Sequence, residues 1–123
     1  MAKTVLVVED EDSVRALEKL LLEQRGYDVM EARDGLEGLA KAEFKRPDLI
    51  LLDLNMPDLS GDRMLKEIQR HPATAGIPVI VISGSNEARD FLDHAGGPDD
   101  LVMKPFETET LLARIHDCIG DPE

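Results

Sequence analysis

Four short, unbroken runs of aliphatic residues constrain the fold of this chain most strongly. They occupy residues 5–8, 49–52, 79–82 and 101–103. Within each run the apolar residues follow one another without alternating with polar ones. This pattern is typical of strands that are covered on both faces, as in a parallel sheet. A weaker fifth strand fits residues 27–32.

Helical periodicity fills the segments between these runs, with Asp12 or Ser13 as the expected N-cap of the first helix. A short fourth helix is predicted over residues 88–95. The positions expected to face the core of the other helices are Val14, Leu17 and Leu21 in the first, Leu36, Leu39, Ala40 and Glu43 or Phe44 in the second, Met64, Leu65 and Ile68 in the third, and Leu111, Leu112, Ile115, Cys118 and Ile119 in the last. Strands that alternate with helices predict an α/β fold built from right-handed crossovers. Five parallel strands suit the flavodoxin-like order 2-1-3-4-5, a (βα)5 arrangement with helices on both faces of the sheet.

Composition narrows the class of protein. A chain of 123 residues corresponds to one domain, so we expect residues 1–123 to form a single domain with no separate output domain. Its 26 acidic residues outnumber the 14 basic ones, giving a formal net charge of −12, which disfavours binding to nucleic acids and to anionic membranes. One cysteine cannot form an internal disulfide, and no apolar run approaches 18 residues. We therefore expect a cytoplasmic protein.

Polar residues follow four of the predicted strands at the point where each strand ends. Glu9 and Asp10 follow the first strand, Asp53 the third, Ser83 the fourth and Lys104 the fifth. In a parallel sheet these ends lie at one edge, and ligands bind there, where the strand order reverses. With the order 2-1-3-4-5 that point lies between the first and third strands. The sequence therefore predicts that the three acidic residues converge.

The charge of this predicted cluster indicates its chemistry. Three carboxylates and one ammonium leave a formal charge of −2, and crowded carboxylates raise one another's pKa unless a cation neutralises them. Carboxylate oxygens favour Mg²⁺ over Zn²⁺, and Mg²⁺ sites commonly pair one or two carboxylates with a substrate phosphate. A carboxylate nucleophile, a divalent cation, a hydroxyl and a lysine together indicate phosphoryl transfer.

Four segments of the chain resemble the receiver domain of two-component response regulators, in particular single-domain receivers of the chemotaxis-regulator type. They are VVEDE at residues 7–11, DLNMP at 53–57 followed by Gly61, VISG at 81–84 and KPF at 104–106. Each segment is weak alone, but the four occur in order, and the resemblance covers essentially the whole chain. It implies a module that catalyses only its own phosphoryl transfer and dephosphorylation, rather than an enzyme that turns over a substrate.

The resemblance also implies a role for individual residues of the metal site. Asp10 would bind Mg²⁺, or another divalent cation such as Mn²⁺, directly, and Glu9 would act directly or through water. Asp53 and the backbone carbonyl of Asn55 would complete the protein's ligands.

The same resemblance assigns the residues that handle the phosphoryl group. Asp53 is the expected phosphoacceptor, Lys104 the ammonium that bonds the phosphoryl group, and Ser83 the hydroxyl that moves to it. The side chains of Asn55 and Ser85 are the positions expected to tune the lifetime of the phosphoaspartate.

The expected partners follow from the family. The phosphoryl donor would be a sensor histidine kinase or a histidine phosphotransfer protein. An output protein would bind the surface of the fourth helix, fifth strand and fifth helix. Whether phosphorylation also causes dimerisation is left open by the resemblance.

Receivers usually carry Tyr or Phe three residues before the lysine, and here Leu101 occupies this switch position. Switching by an inward-moving aromatic ring is therefore not expected.

Three other functions compete with this interpretation. A pseudo-receiver would keep the fold and bind a partner without phosphorylation. A hydrolase with Asp53 as nucleophile, of the haloacid-dehalogenase type, would need a second aspartate where this chain has Asn55. A flavin-binding domain would need a phosphate-binding loop after the first strand, but the acidic residues 9–12 would repel the flavin phosphate.

Overall fold

The computed structural model of the protein describes residues 2–53, 61–83, 100–104 and 106–123. The strands are β1 (Thr4–Val8), β2 (Asp28–Ala32), β3 (Leu49–Asp53), β4 (Val79–Ser83) and β5 (Asp100–Met103). The helices described are α1 (Asp12–Gln24), α2 (Gly35–Lys45), α3 (Gly61–Arg70) and α4 (Thr108–Ile119). Helix α4 corresponds to the fifth predicted helix, and the helix predicted over residues 88–95 lies outside the described residues.

The five strands form one parallel sheet in the order β2-β1-β3-β4-β5. The predicted fold class and strand order are therefore confirmed. In the register of the sheet Asp53 lies opposite Ile82, and Ser83 lies opposite Met103. The carboxyl ends of β1, β3, β4 and β5 consequently share one edge, which brings the predicted site residues towards one another.

The aliphatic runs become strands because the sheet is covered on both faces. Every residue of β3 and β4 is buried. Alternate strand residues such as Leu6 and Ile50 pack with α2 and α3 on one face, whereas Val7 and Leu51 pack with α1 and α4 on the other. Since successive side chains of a strand point to opposite faces, a continuous apolar run fills both layers of the core.

Helix α2 approaches the sheet closely through a glycine. A Cβ atom at Gly38 would lie 2.7 Å from the Cε atom of Met64 and 3.0 Å from a methyl group of Val8. The helix begins at an ordinary cap, in which the Asp34 carboxylate accepts a hydrogen bond of 2.8 Å from the amide of Glu37.

The predicted faces of the first two helices are partly wrong. Glu11 rather than Asp12 or Ser13 is the N-cap of α1, and its side chain makes no capping hydrogen bond. Leu17 in α1 is 55% exposed, and in α2 Leu36 is 62% and Phe44 84% exposed. The buried positions of the two helices are instead Glu18 and Leu22 in α1, and Gly35, Gly38 and Ala42 in α2. Successive residues differ by about 100° around a helix, so an error of one position moves a side chain from the core to the surface.

Candidate functional site

The acidic pair after β1 is held by the backbone around it. The amide of Glu9 donates a hydrogen bond of 3.0 Å to the carbonyl of Ala32 at the end of β2. The guanidinium of Arg15, one turn into α1, donates a bond of 2.8 Å to the carbonyl of Glu9. These contacts fix the direction in which the chain leaves the sheet. The Glu9 side chain is buried and that of Asp10 is exposed.

Asp53 is the last residue of β3, and its side chain is 5% exposed. One carboxylate oxygen from each of Glu9, Asp10 and Asp53 can be chosen so that the three lie within 4.8 Å of one another. The structure therefore brings together the three acidic residues whose convergence the sequence predicts. Two of the carboxyl groups are buried and the third faces solvent, so the cluster opens outward through Asp10.

Crowding within the cluster changes the acidity of Glu9. Burial, a hydrogen bond with the Asp53 carboxylate and the negative charge of Asp53 together raise the pKa of Glu9 to about 9, although Lys104 opposes the shift. Both effects of Asp53 favour the protonated form of Glu9, because two neighbouring carboxylates repel each other. The site holds more carboxyl groups than it can ionise together, which is the condition that a divalent cation relieves.

Lys104 follows β5 and reaches back to Asp53. Its amide donates a hydrogen bond of 2.8 Å to the carbonyl of Ser83, and its Nζ atom lies 3.3 Å from the Oδ2 atom of Asp53. Partial burial lowers the pKa of Lys104, but the carboxyl groups of Asp53, Glu9 and Glu18 outweigh it and hold the pKa above its usual value. The ammonium is therefore charged over the physiological pH range.

The other predicted site residues differ in how much of them is described. Ser83 is fully buried as the last residue of β4, one strand away from Asp53. Leu101 lies in β5 opposite Val81, and only its backbone is described. Asn55 and Ser85 lie outside the described residues.

Glu18 is a residue of this site that the sequence does not point to. It lies in α1, is 4% exposed, and lines a small cavity together with Glu9, Asp53 and Lys104. Burial raises its pKa to about 7, with Lys104 lowering and Asp53 raising it. A sequence signal existed, because Glu18 lies four residues from both Val14 and Leu22, on the row of α1 that faces the core.

Comparison with known proteins decides the family. The family model for the response regulator receiver domain matches residues 5–116 of the chain. The chain belongs to the response regulator receiver domain family. The site residues Glu9, Asp10, Asp53, Ser83 and Lys104 all lie within the matched segment of this receiver domain.

Curated relatives of the receiver domain are transcriptional regulators. It is 39% identical over 116 residues to the alkaline phosphatase synthesis regulatory protein PhoP of Bacillus subtilis, an alignment that covers 94% of this chain and 48% of that protein. It is 37% identical over 112 residues to the DNA-binding regulator RpaA of Synechocystis, covering 90% of this chain and 46% of that protein. The chain thus spans about half the length of these relatives.

Solved structures of the same fold match the receiver domain over nearly its whole length. The chemotaxis protein CheY4 of Vibrio cholerae has a TM-score of 0.87 and 32% identity, with 96% of this chain and 99% of that chain covered. The receiver domain of the sensor histidine kinase PA1611 from Pseudomonas aeruginosa has a TM-score of 0.88 and 27% identity, with 98% and 100% covered. The latter structure contains a magnesium ion coordinated in its active-site cleft.

The donor set of the receiver domain fits a divalent cation of this kind. The three clustered carboxyl groups offer only oxygen, the ligand type that Mg²⁺ prefers. Burial and the neighbouring Asp53 carboxylate both raise the pKa of Glu9, and a bound cation would oppose both effects. Among the described residues, no helix is both long and apolar enough to cross a membrane.

Proposed function

We propose that this receiver domain accepts a phosphoryl group on Asp53 in a Mg²⁺-dependent reaction. The donor is a phosphohistidine on a sensor histidine kinase or a histidine phosphotransfer protein. The observation that carries the proposal is the position of Asp53, whose carboxylate lies beside those of Glu9 and Asp10 and 3.3 Å from the Lys104 ammonium. A carboxylate that only caps a helix or forms an ion pair would not need the two other carboxyl groups and the ammonium together.

The reaction forms one bond and breaks one. An oxygen of the Asp53 carboxylate attacks phosphorus, the P–N bond to the donor imidazole breaks, and the imidazole leaves with the electron pair of that bond. In-line transfer of this kind depends mainly on positioning and on compensation of the phosphoryl charge. The buried end of β3 supplies the positioning, because all five residues of that strand are packed in the core.

Glu9, Asp10, Asp53 and the backbone carbonyl of Asn55 would hold the cation, which is Mg²⁺ or a similar ion such as Mn²⁺. When bound, the cation offsets negative charge on the carboxylates and on the phosphoryl oxygens. Glu9 and Asp53 would have to be ionised for both to act as ligands, so cation binding would favour the loss of any proton held between them.

Lys104 and Ser83 would complete the binding of the phosphoryl group. The Lys104 ammonium, 3.3 Å from Asp53, has only a short distance to move to a phosphoryl oxygen. The hydroxyl of Ser83 would bond a second oxygen from the neighbouring strand. The side chains of Asn55 and Ser85 would set the lifetime of the phosphoaspartate by governing the access of water.

The signal would pass from Asp53 to a binding surface. We place that surface on the fifth strand, the last helix and the segment between Ser83 and Asp100. Because Leu101 replaces the usual aromatic residue, the change follows from repacking of aliphatic side chains. The receiver domain, as a single unit over residues 1–123, would bind an output protein or relay the phosphoryl group. If it forms a dimer, phosphorylation would control that dimer.

The net charge of −12 argues against direct contact of the receiver domain with nucleic acid or a membrane.

Intact-mass spectrometry tests the reaction directly. The protein is incubated with acetyl phosphate, or with phosphoramidate, whose P–N bond mimics phosphohistidine, in the presence of Mg²⁺ or of EDTA. We expect one phosphoryl adduct, formed only with Mg²⁺ and absent in Asp53→Asn. Asp28→Asn removes the same charge at the opposite edge of the sheet, where Asp28 is exposed, and should label like the parent.

The same assay contains the result that would overturn the proposal. A folded parent protein that takes no label from either donor, or an Asp53→Asn variant that labels normally, contradicts phosphorylation at Asp53. The first result would favour a pseudo-receiver that binds its partner without phosphate. Steady hydrolysis of an added phosphomonoester would instead favour an enzyme with an aspartate nucleophile.

A further inference from the structure

Glu18 occupies a position that is unfavourable for a carboxyl group. It lies in the middle of α1 on the row that faces the sheet and is 4% exposed. Its Oε2 atom is fully buried and has no hydrogen-bond partner in the part of the chain that the structure describes. A buried polar group without a partner costs about 1–3 kcal/mol, and an apolar residue would avoid that cost. The fold alone therefore gives no reason for a glutamate here.

The surroundings of Glu18 connect it to the phosphoacceptor. It lines a cavity of about 10 Å³ with Glu9, Asp53 and Lys104, and the remaining walls are apolar side chains of the sheet, α1 and Phe106. That volume is close to the smallest that holds one water molecule. Among the described residues that line this cavity, Lys104 carries the only positive charge. The ammonium that pairs with Asp53 is thus also the described cation that borders the cavity of Glu18.

The two carboxyl groups and the ammonium shift one another's pKa. The negative charge of Glu18 contributes to the raised pKa of Lys104, after the larger contributions of Asp53 and Glu9. In return the positive charge of Lys104 lowers the pKa of Glu18, against the larger effect of burial. Lys104 is therefore in contact with Asp53, at 3.3 Å, and is also attracted by the charge of Glu18 across the cavity that all three residues line.

We propose that Glu18 is a positioning residue of the phosphoacceptor site, which draws the Lys104 ammonium towards the interior and so leaves the Asp53 carboxylate available to a divalent cation. This inference rests on the proposed function, because it concerns the cation site of that reaction. Glu18 itself touches neither the cation nor the phosphoryl group.

The proposal fixes the sign of the effect that a neutral residue would have. Without the Glu18 charge, Lys104 is attracted to Asp53 alone and competes more strongly with a cation for its carboxylate. The loss of one negative charge near the cluster also weakens the attraction between the cluster and a cation. Glu18→Gln should therefore weaken Mg²⁺ binding about tenfold, the lower end of the usual effect of residues that support metal ligands.

Isothermal titration of Mg²⁺ into the full chain at pH 8 tests this inference. We expect about tenfold weaker binding for Glu18→Gln and partial recovery for Glu18→Asp, which restores a carboxyl group on a shorter side chain. Glu23→Gln is the matched control, because it removes the same charge from an exposed position of α1 and should bind like the parent. Thermal unfolding of each variant shows that it is folded.

A double-mutant cycle tests whether Glu18 acts through Lys104. In a Lys104→Met background the effect of Glu18→Gln should fall below about threefold, since no ammonium is left to redirect. An undiminished tenfold effect would overturn the proposed route through Lys104. Mg²⁺ affinity of Glu18→Gln within twofold of the parent would overturn the role of Glu18 altogether.

Labelling with acetyl phosphate separates this inference from the proposed function. If the parent takes a phosphoryl group and Glu18→Gln binds Mg²⁺ like the parent, the role of Glu18 fails while the proposed function stands. If the parent neither binds Mg²⁺ nor takes label, the proposed function fails, and the role of Glu18 in that reaction fails with it.

Discussion

At the scale of single residues, the site brings together acidic side chains whose ionisation is disfavoured because they are buried. Burial raises the pKa of Glu9 to about 9 and that of Glu18 to about 7. Each of these side chains is at most 4% exposed, so the shifts reflect poor solvation rather than chance proximity on the surface. A pKa raised on folding is a cost to stability wherever the unfolded chain is ionised. Glu9 and Glu18 therefore lower the free energy of unfolding at neutral pH.

Glu18 allows that cost to be measured away from the metal ligands. Well below pH 4.5 its carboxyl group is protonated in both states, and as the pH rises from there towards 7 mainly the unfolded state loses the proton. The parent should therefore lose stability over this range relative to Glu18→Gln, by about 2–3 kcal/mol between pH 4 and pH 8. Urea unfolding of both proteins in EDTA at the two pH values gives the difference.

The comparison of the two proteins cancels the titration of the acidic groups that Glu18 does not influence, which leaves Glu18 itself and its neighbours at the site. Glu23→Gln, in which an exposed side chain of the same helix changes, should keep the same stability difference from the parent at both pH values. A difference between parent and Glu18→Gln that does not change with pH would contradict the shifted pKa.

Residue-level reasoning from sequence succeeds where the backbone dictates the position. Glu9, Asp10, Asp53 and Lys104 each follow an aliphatic run directly, and the parallel sheet brings the ends of those runs together. Glu18 follows no such run. It lies inside a helix, where its burial depends on which row of α1 meets the sheet, and the exposed Leu17 beside it is the more apolar choice.

At the scale of elements, strands were easier to predict than helix faces. A run such as residues 49–52 is apolar on both sides, so its burial does not depend on orientation. In α2, by contrast, the large apolar residue Leu36 is 62% exposed, and the small residues Gly38 and Ala42 face the core. Close packing against the sheet selects small size there, and hydrophobicity alone does not reveal it.

Gly38 offers a test of that close packing. Gly38→Val should destabilise the protein by about 1–3 kcal/mol, because the new side chain must displace Met64 and the methyl groups of Val8. Thermal or urea unfolding measures the loss. Valine has a better helix propensity than glycine, so the expected loss cannot arise from the helix backbone.

Gly76 is the matched control for this substitution. It is exposed, and a Cβ atom there would have no neighbour within 4 Å. Gly76→Val should therefore change the free energy of unfolding by less than about 0.5 kcal/mol. Equal destabilisation by both substitutions would show that the spacing between α2 and α3 does not limit the side chain at position 38.

At the scale of the whole molecule, the receiver domain combines a net charge of −12 with an acidic cluster at one edge of its sheet. Net charge of this size opposes compaction through self-repulsion, and any salt reduces that repulsion by screening. A cation that binds the cluster does more, because it binds the folded state alone and stabilises it by mass action. Screening depends on ionic strength alone, whereas specific binding depends on which cation the salt supplies.

Mg²⁺ should therefore stabilise the receiver domain more than NaCl does at the same ionic strength. At a free Mg²⁺ concentration ten times the dissociation constant the specific gain is about 1.4 kcal/mol, which corresponds to a rise of about 5 °C in Tm. Asp10→Asn should keep the response to NaCl and lose the additional response to Mg²⁺, since its side chain is exposed and its removal leaves the buried core intact. Differential scanning calorimetry of both proteins in the two salts separates screening from binding. Equal Tm values for the parent in MgCl₂ and NaCl would mean that the acidic cluster acts only as part of the general charge, and the cation-dependent chemistry proposed for Asp53 would lose its physical basis.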